Sequence, residues 1–134
     1  MVTRRRQNVA QVSTDPLIRS VVNNSIRTIT KELDVITEGR DMTTVVFPKA
    51  EVKIYVDARA EIRAQRRFEQ NPGGRSYEQI LQEIQQRDKI DQSKKVGALK
   101  ISSEATYLDT SDLTIDRVCE KVVEIIKNTR NRNN

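Results

Sequence analysis

Apolar positions in the first part of the chain recur at three- and four-residue intervals, which is typical of one face of a helix. The apolar set comprises residues 17, 18, 21, 22, 26, 29 and 33. Asp15 and Pro16 stand directly before it, and their side chains suit the N-cap and the first helical position. The pattern therefore predicts a helix that begins near Pro16.

Three short stretches rich in β-branched residues predict strands. They are "DVITE" (34–38), "VKIYVDA" (52–58) and "ATYLDTS" (105–111). Charged segments with a helical period lie between and after them. They are "DARAEIRAQRRFEQN" (57–71), "SYEQILQEIQQRDKIDQSKK" (76–95) and "DLTIDRVCEKVVEIIKN" (112–128). Strands that alternate with helices favour an α/β fold with a mainly parallel sheet.

Residues that end one helix and begin the next separate the two middle helices. The cluster "NPGG" at 71–74 predicts a turn that ends the first of them. Ser76 and Gln79 then have the spacing of a capping box at the start of the second. These signals predict two separate helices between the second and third strands.

The link between the first two predicted strands, "GRDMTTVVFPKAE" (39–51), has no helical pattern. Parallel neighbours need a crossover of about a dozen residues or more, and it is usually helical. Two alternatives follow. Either these strands are not direct neighbours, or "TTVVF" forms a short element of its own.

The amino-acid composition limits the kinds of partner and of catalytic group that this chain can have. Hydrophobic residues make up 36% and charged residues 32% of the 134 residues, and the net charge is +5. That charge fits an anionic partner, and it equally fits a solvated basic surface. The chain has no histidine and one cysteine, Cys119, which excludes histidine base catalysis and most zinc sites. A reducing cytoplasm is expected, and with no long apolar run no membrane partner is expected.

Gly39, Arg40 and Asp41 follow the carboxyl end of the first predicted strand, which is where open α/β sheets bind ligands. A guanidinium there can bind a phosphate in a fork geometry. Asp41 could hold Arg40, or accept a hydrogen bond from a sugar hydroxyl or an amino group. The alternative is a surface turn with a local salt bridge.

Two further charged sets lie on helices. Arg87, Asp91 and Lys94 share one helical face, which fits a ligand site or simply a solvated surface. The other set is a compact cationic patch beside the Gly-Gly turn, made of Arg63, Arg66 and Arg67. Such a patch could close over a polyphosphate or bind nucleic acid, although the low aromatic content of 4% argues against stacking on bases.

Longer stretches resemble the bacterial cytidylate kinases, a family of nucleoside monophosphate kinases. They are "EGRDMTTVVFPKAEVKIYVDARAEIRAQRR", "YEQILQEIQQRDKIDQSKKVGALK" and "ATYLDTSDLTIDRVCEKVVEII", and the similarity runs in order from about Asn8 to Ile126. The resemblance implies transfer of the ATP γ-phosphoryl group to CMP or dCMP, with Mg²⁺, giving CDP or dCDP. ATP and Mg²⁺ would be bound only during turnover.

The resemblance also assigns roles. Arg40 and Asp41 would be the catalytic pair, with Arg40 on the phosphate and Asp41 on the sugar. The remaining positions would bind CMP or form a lid at about 59–76 over the ATP phosphates. The CMP residues would be Arg19, Arg87, Asp91 and Lys94, and the lid residues Arg63, Arg66 and Arg67. Three positions, Ala10, Thr43 and Lys94, depart from the family pattern.

One family motif is missing. No G-x-x-x-x-G-K-[ST] run, the loop that cradles ATP phosphates, occurs in the sequence. We therefore expect residues 1–134 to form one truncated kinase-like domain that starts after roughly 90 residues of a full-length member. Its P-loop-kinase-like parallel sheet, flanked by helices, would lack the strand between "DVITE" and "VKIYVDA". The alternative function is a nucleotide-binding remnant or interaction module, which pairs with an N-terminal fragment or with itself through open sheet edges.

Overall fold

The computed structural model describes residues 15–93 and 99–133. Its elements in chain order are α1 (Pro16–Ile29), a π-helix (Met42–Val46), β1 (Ile54–Asp57), α2 (Ala60–Gln70), α3 (Tyr77–Ser93), β2 (Thr106–Asp109) and α4 (Ile115–Asn133). The four predicted helices and two of the three predicted strands are confirmed. The fold is an α/β arrangement in which helices flank a small parallel sheet, as the sequence predicted.

Local capping signals explain where two helices begin. Asp15 Oδ1 accepts hydrogen bonds from the N–H groups of Leu17 and Ile18 at 2.8 and 3.3 Å. At the start of α3, the N–H of Ser76 donates to Gln79 Oε1 at 3.1 Å, and the N–H of Gln79 donates to Ser76 Oγ at 3.3 Å. Both satisfy amides that have no partner inside a helix. The predicted N-cap and the predicted capping box are therefore confirmed.

The described residues contain a two-stranded sheet in which β1 and β2 run parallel. Asp57 lies opposite Asp109, and the ladder extends to Lys53, just before β1, and to Thr110, just after β2. The N–H of Thr106 donates to the carbonyl of Lys53 at 2.9 Å, and the N–H of Thr110 donates to the carbonyl of Asp57 at 2.8 Å. Because α2 and α3 form the crossover, the carboxyl ends of both strands meet at one edge.

The best-buried apolar cluster joins α2 to α3. Ala64 is fully buried, and it packs with Ile80 and Ile84, which are almost completely buried. Three partly buried side chains surround this cluster: Ala60, Tyr77 and Leu81. The small side chain at Ala64 allows the two helices to approach closely. The turn between them contains Gly73 at φ 89°, a left-handed conformation that favours glycine.

The prediction of a buried strand at residues 34–38 is wrong. This segment has no regular structure, and its five side chains are exposed, with Ile36 97% exposed. A strand is stable only when its backbone groups pair with a neighbour. In the described part of the chain the only sheet consists of β1 and β2, so "DVITE" has no strand beside it. Of the two alternatives for the following link, a short separate element is the one observed: the π-helix Met42–Val46.

Helix α1 buries none of its residues. Its apolar face, which the helical period suggests should pack against a core, is exposed at Leu17, Val21, Val22 and Ile29. Within the described part of the chain, the side chains of two arginines, Arg19 and Arg27, connect α1 to the segment that contains Asp41 and the π-helix. Within residues 15–93 and 99–133, no helix combines the length and apolar character needed to cross a membrane.

Candidate functional site

Asp41 and α1 are joined by an ion pair. Arg19 Nη2 donates to Asp41 Oδ2. Both side chains are largely shielded from solvent, with 22% of Arg19 and 10% of Asp41 exposed. Shielding strengthens the attraction between opposite charges because less water screens them. The carboxylate that the sequence placed next to Arg40 is therefore held by an arginine from another element.

Arg40 also has a distant partner. Its Nε donates to Asp91 Oδ2 at 2.9 Å, and Arg87 Nε lies 3.7 Å from the same oxygen. The side chain of Asp91 is only 7% exposed, whereas Arg40 and Arg87 are about half exposed. One buried carboxylate thus holds two arginines whose outer surfaces face solvent. The predicted common face of Arg87 and Asp91 on α3 is observed.

The Arg19–Asp41 pair and the contacts of Asp91 with Arg40 and Arg87 form one cluster, because Arg40 and Asp41 are consecutive in the chain. We call Arg19, Arg40, Asp41, Arg87 and Asp91 the charge cluster. It connects α1, the 40–41 backbone and α3, so the alternative of a turn closed only by a local salt bridge does not describe it. Lys94, which the helical spacing grouped with Arg87 and Asp91, lies outside the described residues.

The charge cluster has the chemistry of an anion site. A guanidinium carries five N–H donors in a planar fork that matches phosphate oxygens. Arg40 contacts Asp91 through Nε, which leaves its two terminal nitrogens for a second acceptor. Asp41 and Asp91 keep the arginines oriented, and they balance part of the positive charge while no anion is bound. An incoming phosphate would meet two solvent-facing guanidinium groups on one surface.

The predicted lid arginines lie on α2. Arg63 makes a two-pronged contact with Asp88, with Nη1 to Oδ1 at 2.9 Å and Nη2 to Oδ2 at 2.6 Å. Hydrogen bonding to Asp88 raises the pKa of Arg63. Arg66 donates through Nη2 to the carbonyl of Thr110 at 2.6 Å. Arg67 is exposed. Two of the three arginines are thus engaged in contacts within the chain.

The carboxyl ends of β1 and β2 carry a second polar group. The hydroxyl of Tyr107 donates to Asp57 Oδ2 at 2.7 Å. This hydrogen bond is the main reason why the pKa of Tyr107 rises to about 12, and burial and the negative charge of Asp57 add to it. Tyr107 stacks on Tyr55, with ring centroids 5.7 Å apart. A hydrogen bond from Ser111 lowers the pKa of Asp109 at the same edge.

Sequence reasoning missed one arginine with an important contact. Arg27, eight residues after Arg19 on α1, donates through Nε to the carbonyl of Val46 at 2.7 Å and through Nη2 to the carbonyl of Val45 at 2.6 Å. These carbonyls belong to the π-helix that follows Asp41. The only signal in the sequence is that Arg27 lies about two turns after Arg19 on one helix.

Comparison with known proteins identifies the family to which the chain is similar. The cytidylate kinase family model matches residues 4–128. A cytidylate kinase from Borrelia turicatae is 45% identical to the chain over 109 residues, which is 80% of this chain and 49% of that protein. Cytidylate kinase 1 from Borreliella burgdorferi is 44% identical over the same length, again 80% of this chain and 49% of that protein.

The family match covers nearly the whole sequence, and it agrees with the parallel α/β architecture. The chain belongs to the cytidylate kinase family, a family of nucleoside monophosphate kinases. It spans about half the length of the curated relatives that it matches. The resemblance inferred from the sequence is therefore confirmed.

Proposed function

We propose that this chain carries the monophosphate-binding part of a cytidylate kinase. The complete enzyme would transfer the γ-phosphoryl group of ATP to CMP or dCMP and release CDP or dCDP, in the cytoplasm. Family membership supports this proposal, and so does the naming of the similar Borrelia proteins as cytidylate kinases. The single observation that carries it is the charge cluster, where Asp91 holds the half-exposed Arg40 and Arg87 side by side.

In this proposal Arg40 binds the phosphate of CMP, and Asp41 accepts a hydrogen bond from the sugar. Arg19 contacts the phosphate or the cytosine, and Arg87 and Asp91 complete the site together with Lys94. Phosphoryl transfer depends mainly on positioning the two phosphates and neutralising the repulsion between them. Arginines that are held in place before the substrate arrives lose little freedom on binding, which favours both tasks.

The segment at about 59–76 is proposed to act as a lid over the ATP phosphates. Arg67 already faces solvent, whereas Arg63 and Arg66 are held by Asp88 and by the carbonyl of Thr110. Closure would therefore require Arg63 and Arg66 to exchange an internal acceptor for a phosphate oxygen. Gly73, with its positive φ, lies at the end of this segment where such a movement would pivot.

In kinases Mg²⁺ is usually held by one or two carboxylates together with the substrate phosphates, rather than by a cage of protein ligands alone. Among the described residues, no group of three or more acidic, cysteine or histidine side chains lies close enough to hold a metal ion. The sequence also contains no G-x-x-x-x-G-K-[ST] run for the ATP phosphates. We therefore assign to this chain the binding and orientation of the acceptor nucleotide, and no step of the transfer itself.

A second function has its own supporting observation. Most apolar side chains of α1 and those of residues 35–36 are exposed, and in the part of the chain that the structure describes the sheet has two strands, β1 and β2. Exposed apolar patches and open strand edges are typical of surfaces that pair with another polypeptide. The alternative is therefore an interaction module that retains nucleotide binding and associates with an N-terminal fragment or with itself.

Calorimetry with CMP tests the main proposal. We expect the wild-type chain to bind CMP, and Arg40→Gln to weaken binding about 10- to 100-fold, as expected when a charged hydrogen bond worth about 1.5–3 kcal/mol is lost. Arg117→Gln is a matched control, because Arg117 lies on α4 and pairs with Glu120 at the surface. Absence of CMP binding, or equal affinities for both variants, would contradict the proposal.

A coupled assay for CDP formation, with and without a separate N-terminal polypeptide that carries the phosphate loop, separates the two functions. We expect turnover only in the mixture. Robust turnover by the chain alone would overturn the assignment of acceptor binding, without transfer, to this chain. Light scattering on the same samples would detect association, and a strict monomer in both samples would count against the interaction module.

A further inference from the structure

The guanidinium of Arg27 closes the carboxyl end of the π-helix Met42–Val46. It donates to the last two carbonyls of that element, those of Val45 and Val46, at 2.6 and 2.7 Å. A third nitrogen, Nη1, donates to Asn24 Oδ1 at 3.2 Å, which orients the guanidinium from within α1. Carbonyls at the end of so short a helix have no backbone donor, so Arg27 provides what the backbone lacks.

The other end of the same element is Asp41. The N–H groups of Val45 and Val46 donate to the carbonyl of Asp41 at 2.8 and 3.2 Å, so the turn is folded around this one oxygen. The Asp41 carboxylate pairs with Arg19. Arg19 and Arg27 both belong to α1. One helix therefore fixes the turn at its start through a carboxylate and at its end through two carbonyls.

A displacement of the turn would reach the charge cluster directly. Val46 is almost completely buried, so the end of the π-helix cannot move without disturbing packing. If Arg27 released the carbonyls, the turn could unwind around the Asp41 carbonyl, and the Asp41 carboxylate and the preceding Arg40 would lose their fixed direction. Small displacements of groups that contact a substrate have large effects on its binding and reaction.

We propose that Arg27 is a positioning residue for the nucleotide site: it holds the Met42–Val46 turn so that Asp41 and Arg40 keep the geometry required to bind CMP. This inference rests on the proposed function. Arg27 contacts no substrate in this scheme, and it acts through Asp41. The competing explanation is that Arg27 only fastens α1 to the molecule and has no specific effect on the nucleotide site.

A double-mutant cycle distinguishes these explanations. CMP affinity is measured by calorimetry for the wild-type chain, Arg27→Gln, Asp41→Asn and the double variant. We expect Arg27→Gln to weaken CMP binding about tenfold in the wild-type background, and less than about threefold once Asp41 has been changed, because residues that act through each other are not additive. Arg27→Lys, which keeps the charge but loses the fork, should fall between the wild type and Arg27→Gln.

The possible outcomes distinguish a failure of the positioning role from a failure of the proposed function. Equal losses in both backgrounds, or no loss in Arg27→Gln while the wild type binds CMP, would overturn the positioning role and leave the proposed function intact. No CMP binding by the wild-type chain would overturn the proposed function, and the positioning role with it. If circular dichroism shows that Arg27→Gln does not fold, the same cycle is run with Arg27→Lys. Arg117→Gln in both backgrounds is the control, and it should leave the affinity unchanged.

Discussion

Replacing Asp91 with asparagine tests the central contact of the charge cluster. Asparagine keeps the size of the side chain and an oxygen that can accept from Arg40, but it removes the negative charge shared by Arg40 and Arg87. A hydrogen bond to a charged group contributes about 1.5–3 kcal/mol and a neutral one about 1 kcal/mol. The 2.9 Å contact with Arg40 should therefore lose about 1 kcal/mol of its stabilisation.

The second contact adds less. Arg87 Nε lies 3.7 Å from Asp91 Oδ2, beyond hydrogen-bond distance, and more than half of the Arg87 side chain is exposed. Ion pairs in contact with solvent contribute about 0–1 kcal/mol. From these two contacts we expect Asp91→Asn to lower the free energy of unfolding by about 1–2 kcal/mol.

Urea unfolding followed by far-ultraviolet circular dichroism measures this loss. With a denaturant slope of about 2 kcal/mol per molar urea, the midpoint should fall by about 0.5–1 M. Asp112→Asn is the matched control, because Asp112 also pairs with an arginine, Arg59, but both side chains are more than half exposed. We expect little change there. Equal midpoints for the two variants would refute the view that Asp91 stabilises the molecule through its buried position.

Three further predictions concern other parts of the molecule. Ile84→Ala should lower the free energy of unfolding by about 2–4 kcal/mol, because it empties space in the α2–α3 cluster, and a loss below about 1 kcal/mol in urea unfolding would contradict the close packing of that cluster. Tyr107 should ionise near pH 12, at a higher pH than an ordinary tyrosine. Because its pKa is raised in the folded state, the stability that Tyr107 contributes is complete below pH 10 and is lost between pH 10 and 12. An absorbance titration in which Tyr107→Phe does not remove this late transition would contradict the prediction. Gly73→Ala should destabilise the chain by about 1 kcal/mol because of its positive φ. The added methyl group would meet no atom within 4 Å beyond the adjacent residues, so no steric clash contributes. An unchanged melting temperature would count against that turn geometry.

Features encoded by neighbouring residues could be predicted from the sequence. The N-cap at Asp15 and the capping box at Ser76 are local hydrogen-bond patterns, and both are observed. Arg87 and Asp91 are four residues apart on α3, so their contact also follows from helix geometry. In each case the two partners are brought together by the backbone of a single element.

Features that depend on distant parts of the chain could not be predicted in the same way. Residues 34–38 have the composition of a strand, but composition gives only a preference, and a strand forms only where a neighbour supplies hydrogen bonds. The partners of Arg40 and Asp41 lie 51 and 22 residues away. Spacing alone does not indicate such pairs, which is why Arg27 was missed and why a local salt bridge at Arg40 and Asp41 was an open alternative.

The attachment of α1 has a consequence for how the molecule comes apart. Helices α2 and α3 are held together by an apolar cluster, which added salt does not weaken, whereas α1 contacts the Asp41–Val46 segment through the charged side chains of Arg19 and Arg27. Salt screens exposed charges over about 8–10 Å at 0.10–0.15 M. The Arg19–Asp41 pair is largely shielded and Arg27 bonds to carbonyl groups, so salt should weaken these contacts only in part. Because α1 buries none of its residues, it should open locally before α2 separates from α3.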